Sequence, residues 1–315
     1  MYKIGVLALD GFALMSYASL VEPLRAANLL SEKPLYQIIN ITSNSNFALS
    51  STGVKVDGYN FREVNTFLDL VVVVAGGDPF LFENKSLLTW FNRVAKFGTC
   101  ISGVSGGPVI LVRAGLMSGR RMTVHWEHAV GLKEINQHIV LEKTLYVIDR
   151  DRMTCAGGTA PMDMILALIS SQQGTVFAQL VSDWFMHTEI RPAEGPQRAG
   201  IVERIGSNNP TVLSAVKLME SHLSDPLNLT QLAGLCSVSG RQLNRLFKIY
   251  LGCSTMKYYS FIRVESAKSL IRNSALGISE ISEASGFSNS SHFSSMFFKL
   301  NGLSPRQYRK ALPRF

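Results

Sequence analysis

The chain has 315 residues, of which 46% are hydrophobic, and this is enough material for two domains with separate cores. Residues 1–200 contain 17 Lys and Arg against 17 Asp and Glu, whereas residues 201–315 contain 14 against 6, so the net charge of +8 lies in the last third. The four cysteines are scattered, which argues against a disulfide framework and a zinc site; no metal or cofactor is expected. No apolar run is long enough to cross a membrane and no signal peptide is recognisable, so a cytoplasmic protein is expected.

The N-terminal part alternates apolar runs of strand length with helical stretches. Strands are predicted at residues 3–9, 36–41, 69–75 and 100–104, and helices at residues 17–30, 85–97, 106–117 and 160–172. Continuous apolar runs are typical of a parallel sheet covered on both faces. The succession predicts a doubly wound, flavodoxin-like α/β domain that binds ligands at the carboxyl ends of its strands.

Three loops are expected at that end of the sheet. The first strand leads into Asp10-Gly11-Phe12, the strand at 69–75 leads into Gly76-Gly77-Asp78, and the strand at 100–104 leads into Ser105. Exposed backbone N–H groups of the glycine pair can hold an anion. On the helix after the first loop, Glu22 falls on an otherwise apolar face, where a buried carboxylate needs a partner.

Residues 103–107 read Gly-Val-Ser-Gly-Gly and match the G-x-S-x-G nucleophile elbow after a strand. Taken literally, the match predicts a serine hydrolase that uses Ser105. That chemistry needs an acid and a late histidine after the serine. His125, His128 and His138 follow closely, and only His187 lies near the end of the domain. Hydrolysis is therefore the weaker interpretation of this site.

A turn-rich segment with two prolines and two glycines at residues 191–200 marks the boundary between the domains. We expect a first domain at residues 1–187, a linker at 188–210 and a second domain at 211–315.

The second domain contains the same helical pattern twice. Leu243, Leu246, Phe247, Gly252, Ser254 and Tyr258 recur fifty positions later as Phe293, Met296, Phe297, Gly302, Ser304 and Tyr308. Leu229 and Leu232 recur after forty-nine positions, so the second copy has one extra residue in its turn. Two short helices joined by a tight turn form the helix-turn-helix that places a recognition helix in the DNA major groove. With the positive charge of this domain, the repeat predicts DNA binding.

The periodicity also selects the side chains that face DNA. A supporting helix at residues 229–235 precedes a recognition helix at 239–250, capped by Ser239. Its predicted outward residues are Arg241, Gln242, Asn244, Arg245 and Lys248. In the second motif the outward set is Ser290, Ser291, His292, Ser294 and Ser295. Because Arg, Gln and Asn read base edges and small hydroxyls reach mainly phosphate, the first motif is expected to supply most base discrimination.

Residues 211–315 resemble the DNA-binding domain of the AraC family of transcription regulators. The long helix at 256–273 corresponds to the family's connecting helix, and the tail after Gly286-Phe287 follows the family pattern, except that Ser295 replaces an arginine and Phe298 a basic residue. Residues 75–79, 105–126 and 155–169 resemble the amidase-like domain of intracellular protease PfpI and class I glutamine amidotransferases. The resemblance implies that a catalytic cysteine, assisted by a glutamate, is replaced here by Ser105 with Glu22.

The order of the two domains is that of the GlxA-like branch of AraC regulators. This resemblance implies a sensor of small metabolites such as quaternary amines or basic amino acids. The expected ligand contacts combine negative charge, aromatic faces and groups that receive a carboxylate. They are Phe12, Glu22, Gly76, Gly77, Asp78, Phe80, Ser105, His125 and Trp126.

The leading hypothesis is a dimeric, effector-responsive regulator that binds promoter DNA and acts as an activator through RNA polymerase, without a membrane partner or enzymatic activity. One alternative is a serine amidase fused to a DNA-binding module. A second is a nucleoid-type DNA binder with a vestigial first domain and little sequence preference.

Overall fold

The computed structural model describes residues 1–136, 138–274 and 276–312. The chain divides into two compact units, which are described separately below. The first comprises Met1–Gln197, and the second begins at Arg198.

The first unit is built on a seven-stranded sheet. The strands of this unit are β1 (Tyr2–Ala8), β2 (Tyr36–Thr42), β3 (Phe47–Leu49), β4 (Lys55–Asp57), β5 (Tyr59–Asn60), β6 (Leu70–Ala75), β7 (Cys100–Ser105), β8 (Arg121–Met122), β9 (Val140–Leu141), β10 (Tyr146–Asp149) and β11 (Arg152–Cys155). In the main sheet the order is β10-β11-β7-β6-β1-β2-β5, and every pair is parallel except β10 with β11. Two-stranded sheets pair β3 with β4 and β8 with β9. The predicted doubly wound α/β architecture is confirmed.

Helices cover both faces of this sheet. They are α1 (Leu14–Leu30), α2 (Lys85–Lys96), α3 (Gly107–Arg113), α4 (Ala129–Ile135), α5 (Ala160–Gln173) and α6 (Thr175–Trp184), with a 3-10 turn at Pro79–Leu81. Side chains of α1, α5 and α6 share one core with alternate residues of β1 and β6, and α2, α3 and α4 share the other. Every residue of β6 is buried, because its side chains enter both cores. This explains the continuous apolar run of that strand.

The second unit is helical. Its helices are α7 (Ile201–Ile205), α8 (Pro210–Ser221), α9 (Leu229–Leu235), α10 (Gly240–Leu251), α11 (Thr255–Asn273), α12 (Ile278–Ala284), α13 (Ser290–Asn301) and α14 (Pro305–Ala311). One core contains residues of α8, α9, α10 and the start of α11, and a second contains the rest of α11 with α12 and α13. Since α11 contributes Tyr259 to the first core and Val264 to the second, it joins two helix-turn-helix motifs.

The two motifs match closely. Residues 241–250 and 291–300 have the same sequence of exposed, half-buried and buried positions. Both recognition helices end at a left-handed glycine, Gly252 or Gly302. The turn spans residues 236–239 in the first motif and 285–289 in the second, which is the extra residue that the sequence predicted.

Within the described residues, no helix is long and apolar enough to span a membrane. The same residues contain no group of three or more His, Cys, Asp or Glu side chains that is arranged to hold a metal ion.

Candidate functional site

Ser105 lies at the carboxyl end of β7 in a strained turn. Its φ is +62°, a left-handed conformation that is uncommon for residues other than glycine, and its side chain is 8% exposed. The N–H of Gly106 donates to the Ala75 carbonyl at 3.0 Å, which closes the turn onto the neighbouring strand. The chain therefore forms the elbow that the G-x-S-x-G pattern predicts.

The loop after β11 packs directly on this elbow. A Cβ on Gly157 would lie 2.8 Å from the Ser105 Cβ, and Gly157 has a φ of +95°, so only glycine fits there. The next residue, Gly158, donates its N–H to the hydroxyl of Ser16 at 2.9 Å. Ser16 is fully buried on α1. Elbow, loop and the first turn of α1 thus form one packed cluster.

A pocket of about 200 Å³ lies beside this cluster. Its lining consists of His125, Trp126, Leu145, residues 156–160, Arg191, Pro196 and Gln197. The pocket is open to solvent on one side and is large enough for a small metabolite. None of these described lining residues is acidic.

One wall of the pocket is the segment of residues 187–197, which we call the strap. Asp163, fully buried in α5, receives the backbone N–H of Arg191 at 2.8 Å and the same residue's guanidinium Nε and Nη2 at 3.0 and 2.6 Å. His187 Nε2 lies 2.9 Å from Asp163 Oδ1, the oxygen that also accepts the Arg191 backbone N–H. Further along, the Gln197 amide donates to Thr123 Oγ1 and to two backbone carbonyls. The strap is therefore anchored at both ends.

Two histidines stand next to the elbow. The backbone N–H of His125 donates to the Ser105 carbonyl at 3.4 Å. The ring centroids of His125 and His128 are 5.9 Å apart. Burial lowers the pKa of His125. The pKa of His128 is lowered to about 3, mainly by burial and to a smaller extent by the neighbouring His125 ring. Both rings are neutral at physiological pH.

The structure brings together only some of the predicted ligand residues. His125 and Trp126 line the pocket, and Ser105 lies behind Gly157. Phe12 and Phe80 are buried core residues. Asp78 accepts the Phe80 N–H at 3.0 Å and caps the 3-10 turn. Gly76 packs against residues 11–13, and Gly77, with a φ of +59°, continues the same loop.

The expectation of a buried carboxylate at Glu22 is wrong. Its side chain is 42% exposed and forms an ion pair with Arg25, three residues later, at 2.7 Å. The helix register turns Glu22 toward solvent, and Ser16 is the polar α1 side chain that reaches the elbow loop.

Sequence reasoning missed Ser16, Arg191 and Gln197. The strap was interpreted as a linker because of its Pro and Gly content, and serine on a helix carries no signal of its own. Asp163 is an acidic residue in an otherwise apolar helix, and a buried carboxylate needs a partner. This residue could have indicated that a basic side chain such as that of Arg191 packs on α5.

In the second unit, α10 presents a polar, basic face. Ser239 caps the helix as predicted, since its hydroxyl accepts the Gln242 N–H at 3.2 Å. Arg241, Gln242, Arg245 and Lys248 are exposed, while Leu243 and Phe247 are buried. Asn244, also predicted to face outward, is half-buried, and its Oδ1 accepts the Thr255 N–H at 3.0 Å, so this oxygen is engaged within the unit.

The corresponding face of α13 is nearly uncharged. Ser291, His292 and Ser295 are exposed, whereas Ser290 and Ser294 are half-buried. Ser290, Ser291 and Ser294, but not Ser295, line an open cavity of about 570 Å³ together with Gly277, Ile278, Ser279, Ser304, Pro305 and Arg306. Phe298, exposed at the position that Lys248 occupies in the first motif, replaces a charge with an apolar ring.

Comparisons with known proteins agree with both units. The DJ-1/PfpI family model matches residues 2–171, and the Helix-turn-helix domain model matches residues 232–311. HTH-type transcriptional regulator GlxA of Rhizobium meliloti is 40% identical over 98% of this chain and 95% of its own length. The chain belongs to the GlxA-like branch of the AraC-type regulators.

Other regulators of this branch are similar over nearly the whole chain. GbdR of Pseudomonas aeruginosa is 35% identical over 99% of this chain and 85% of its own length, and CdhR of the same organism is 34% identical over 98% and 91%. The family resemblance drawn from the sequence is confirmed, and with it the function of a helix-turn-helix transcription regulator.

Among solved structures, an AraC family transcriptional regulator from Pseudomonas putida matches 59% of this chain and all of its own, with a TM-score of 0.54 and 24% identity. A THiJ/PfpI family protein from Pseudomonas syringae matches 70% of this chain and 86% of its own, with a TM-score of 0.53 and 18% identity. At these identities the matches establish the fold of the first unit.

Proposed function

We propose that this regulator binds promoter DNA through its second unit and responds to a small metabolite that occupies the pocket beside Ser105. The observation that carries the proposal is that pocket, whose lining includes Gln197, the last residue of the first unit, and Arg191, six residues earlier. A concave site with a few polar groups in its lining suits a small effector, which needs no reaction to act.

The DNA contacts are assigned from exposure and charge. Helix α11 has 19 residues, a length of about 28 Å, and joins the two motifs. Since the two motifs repeat the same arrangement on either side of α11, we infer that their recognition helices enter successive major-groove segments, which recur about every 34 Å on one side of the duplex. We assign base reading to Arg241, Gln242 and Arg245, and phosphate contacts to Lys248 and the α13 serines.

We propose a regulator without hydrolytic activity. At the elbow a hydroxyl stands where catalytic relatives of the fold use a thiol, and an unassisted serine is a poor nucleophile at neutral pH. Cys155, which β11 aligns with Val104 of the elbow strand, is buried, and burial raises its pKa to about 12, so this thiol stays protonated. Serine hydrolysis at Ser105 is the rival proposal.

An acyl-transfer probe separates these two proposals. Incubation of the full chain with a fluorophosphonate or an activated ester, followed by mass spectrometry, is expected to leave Ser105 unmodified. The Ser105→Ala variant, which should keep its promoter affinity, is the control for labelling elsewhere. A covalent adduct on Ser105 that is lost in this variant would establish the hydrolase.

We further propose a homodimer formed through the first unit, which acts in the cytoplasm as an activator that contacts RNA polymerase. Helix α6 leaves Val176, Leu180 and Trp184 exposed at a spacing of four residues, so one apolar stripe faces solvent, and Val176 is 86% exposed. Light scattering of the full chain and of Leu180→Glu tests the dimer: the variant is expected to be monomeric.

Binding measurements on the two separate fragments test which unit binds DNA and which binds the effector. Fragment 198–315 retains α7, whose Ile201 and Ile205 pack on the second unit's core, and is expected to bind promoter DNA without effector. Fragment 1–197 is expected to bind effector and no DNA. If the full chain binds all sequences equally and no metabolite raises its melting temperature, it is a nucleoid-type DNA binder and our proposal fails.

A further inference from the structure

We propose that the second motif binds a phosphate group of the DNA backbone in the open cavity between α12, α13 and α14, with Arg306 as the positively charged contact. This inference rests on the DNA-binding function proposed above. It adds a contact residue outside the two recognition helices and gives the two motifs different ways of binding the duplex.

The two recognition helices differ in charge. Each exposed basic residue on the predicted DNA-facing side of α10 is replaced by an uncharged residue in α13. The aligned pairs are Arg241 with Ser291, Arg245 with Ser295, and Lys248 with Phe298. Lys299, in the last turn, is the basic residue that α13 retains. Because the duplex carries a dense row of negative charges, a motif with few cations on its recognition helix needs them on a neighbouring element.

The cavity beside the start of α13 contains donors that suit a phosphate group. Among its described lining residues Arg306 is the only charged one, and five of the others are serines. The hydroxyls of Ser279 and Ser290 lie 3.3 Å apart and share one hydrogen bond, so one of the two hydroxyl hydrogens remains for another acceptor. Guanidinium and hydroxyl groups are common donors to the phosphate oxygens of DNA.

The guanidinium of Arg306 is available for such a contact. The side chain is exposed, and within the described part of the chain it makes no hydrogen bond or ion pair. Arg309, on the same helix, is by contrast engaged, since it donates to the Leu276 carbonyl at 2.7 Å. Glu280, adjacent in sequence to the lining, directs its carboxylate to the start of α12, where it accepts the Gly277 N–H. A phosphate in the cavity therefore meets a cation that forms no ion pair with the described carboxylates.

The corresponding place in the first motif is bridged. There the Asn244 Oδ1 accepts the Thr255 N–H at 3.0 Å and joins α10 to α11. In the second motif the aligned residues are Ser294, whose side chain is shorter, and Pro305, which has no N–H to donate. The second motif therefore lacks this bridge, and the space between α13 and α14 is open.

The residue after this junction changes as well. Met256 of α11 is half-buried and packs on the core of the first motif. Its counterpart fifty positions later is Arg306, which is exposed and lines the cavity. The same place in the repeat is thus bridged and apolar in the first motif, and open and basic in the second. We infer that the second motif contacts the DNA backbone here, without reading bases.

Duplexes with one neutral linkage test the contact in the full chain. A methylphosphonate replaces one charged phosphate oxygen by a methyl group and leaves the bases unchanged. It is moved one linkage at a time along both strands of a site selected by the wild-type chain. At one or two adjacent linkages the Kd of the wild type is expected to rise about three- to tenfold. Arg306→Met, which introduces the residue of the first motif, should bind unmodified DNA more weakly by a similar factor and show no further loss at those linkages.

Two variants control for the loss of charge. Lys310→Gln on α14 and Lys299→Gln on α13 each remove one exposed cation that does not line the cavity. Both should remain sensitive to the linkages at which Arg306→Met is insensitive. Arg306→Lys keeps the charge and should also remain sensitive. Equal melting temperatures of the variants and the wild type show that each variant is folded.

The salt dependence and the base preference complete the test. Arg306→Met should reduce the salt slope by about one and weaken selected and random DNA alike. If it remains as sensitive as the wild type at every linkage, Arg306 does not contact phosphate and the proposal is overturned. A changed base preference would also overturn it, because Arg306 would then read a base. If the wild-type chain prefers no DNA sequence at all, the proposed function itself fails.

Discussion

Single residues of α10 make separable contributions to DNA binding. Arg241, at the exposed start of the helix, is placed to read a guanine edge, whereas Lys248 lies two turns later. Arg241→Ala is expected to cost about 1–3 kcal/mol on the selected site and to relax one base position. Lys248→Ala should weaken all sequences alike and reduce the salt slope by about one. Competition between the selected site and random DNA at two salt concentrations measures the base preference and the salt slope. An equal loss of affinity for both DNAs in Arg241→Ala would mean that Arg241 contacts phosphate.

Ser295 occupies the position in α13 that Arg245 occupies in α10, with the same exposure. We expect Ser295→Arg to increase the affinity for specific and random DNA together and to steepen the salt dependence by about one phosphate contact. The control is Ser171→Arg, which adds the same charge at an exposed position of α5 in the first unit and should leave the affinity unchanged. No gain for Ser295→Arg would mean that this face of α13 does not approach DNA.

His128 gives the first unit a pH dependence. Its folded pKa of about 3 lies below the unfolded value of about 6.5, so the unfolded chain takes up a proton first as the pH falls. Stability is therefore full above pH 6.5 and is lost below it, by about 2 kcal/mol at pH 5. His128→Phe keeps the ring contact with Phe80 and should reduce this loss. Melting temperatures at pH 7.5 and 5.0 test it, and an equal drop in both proteins would contradict it.

The sequence identified residue types better than residue surroundings. Helical periodicity places both Asn244 and Arg245 on the polar side of α10, but only the structure shows that α11 returns beside Asn244 and engages it. Similarly, Glu22 was assigned to the apolar side of α1, although its register exposes it next to Arg25. The surroundings of such residues depend on contacts with neighbouring side chains and with other elements, and a periodic pattern contains no information about those contacts.

At the level of elements, the junction between α10 and α11 is held by Asn244. Its Oδ1 takes the Thr255 N–H, one of the N–H groups that a helix start leaves without an intrahelical partner. Asn244→Ala is expected to destabilise the second unit by about 1 kcal/mol, as the loss of a helix cap does, without changing base preference. Thermal unfolding of fragment 198–315 and a binding selection give the two readouts. If Asn244→Ala instead alters the base preference and leaves the stability unchanged, Asn244 contacts DNA directly.

Long elements followed from the sequence because their signals are local. The fully buried β6 and the capped α10 agree with their predicted ranges to within a residue. The helix predicted over 106–117 instead ends at Arg113, since the chain turns at Gly115, whose φ is +74°. Short strands such as β11, with four residues, carry too little pattern to recognise. The strap contains no helix or strand, and it is held in place by hydrogen bonds to the buried carboxylate of Asp163 on α5.

At the scale of the whole molecule, the chain joins a DJ-1/PfpI-type α/β unit to a unit with two helix-turn-helix motifs. The neutral charge balance of residues 1–200 and the +8 of residues 201–315 already separated these roles. The hydrogen bonds of the strap did not follow from composition, because flexible linkers and hydrogen-bonded segments can have the same Pro and Gly content.

The central claim is that the full chain recognises a specific DNA sequence with its two motifs. The most direct test is selection of the full chain on a randomised DNA pool in roughly physiological salt, followed by sequencing. We predict enrichment of one site with two short elements centred about 10 base pairs apart, the stronger preference lying in the element read by α10. Recovery of all sequences in proportion to their abundance in the pool would contradict the account.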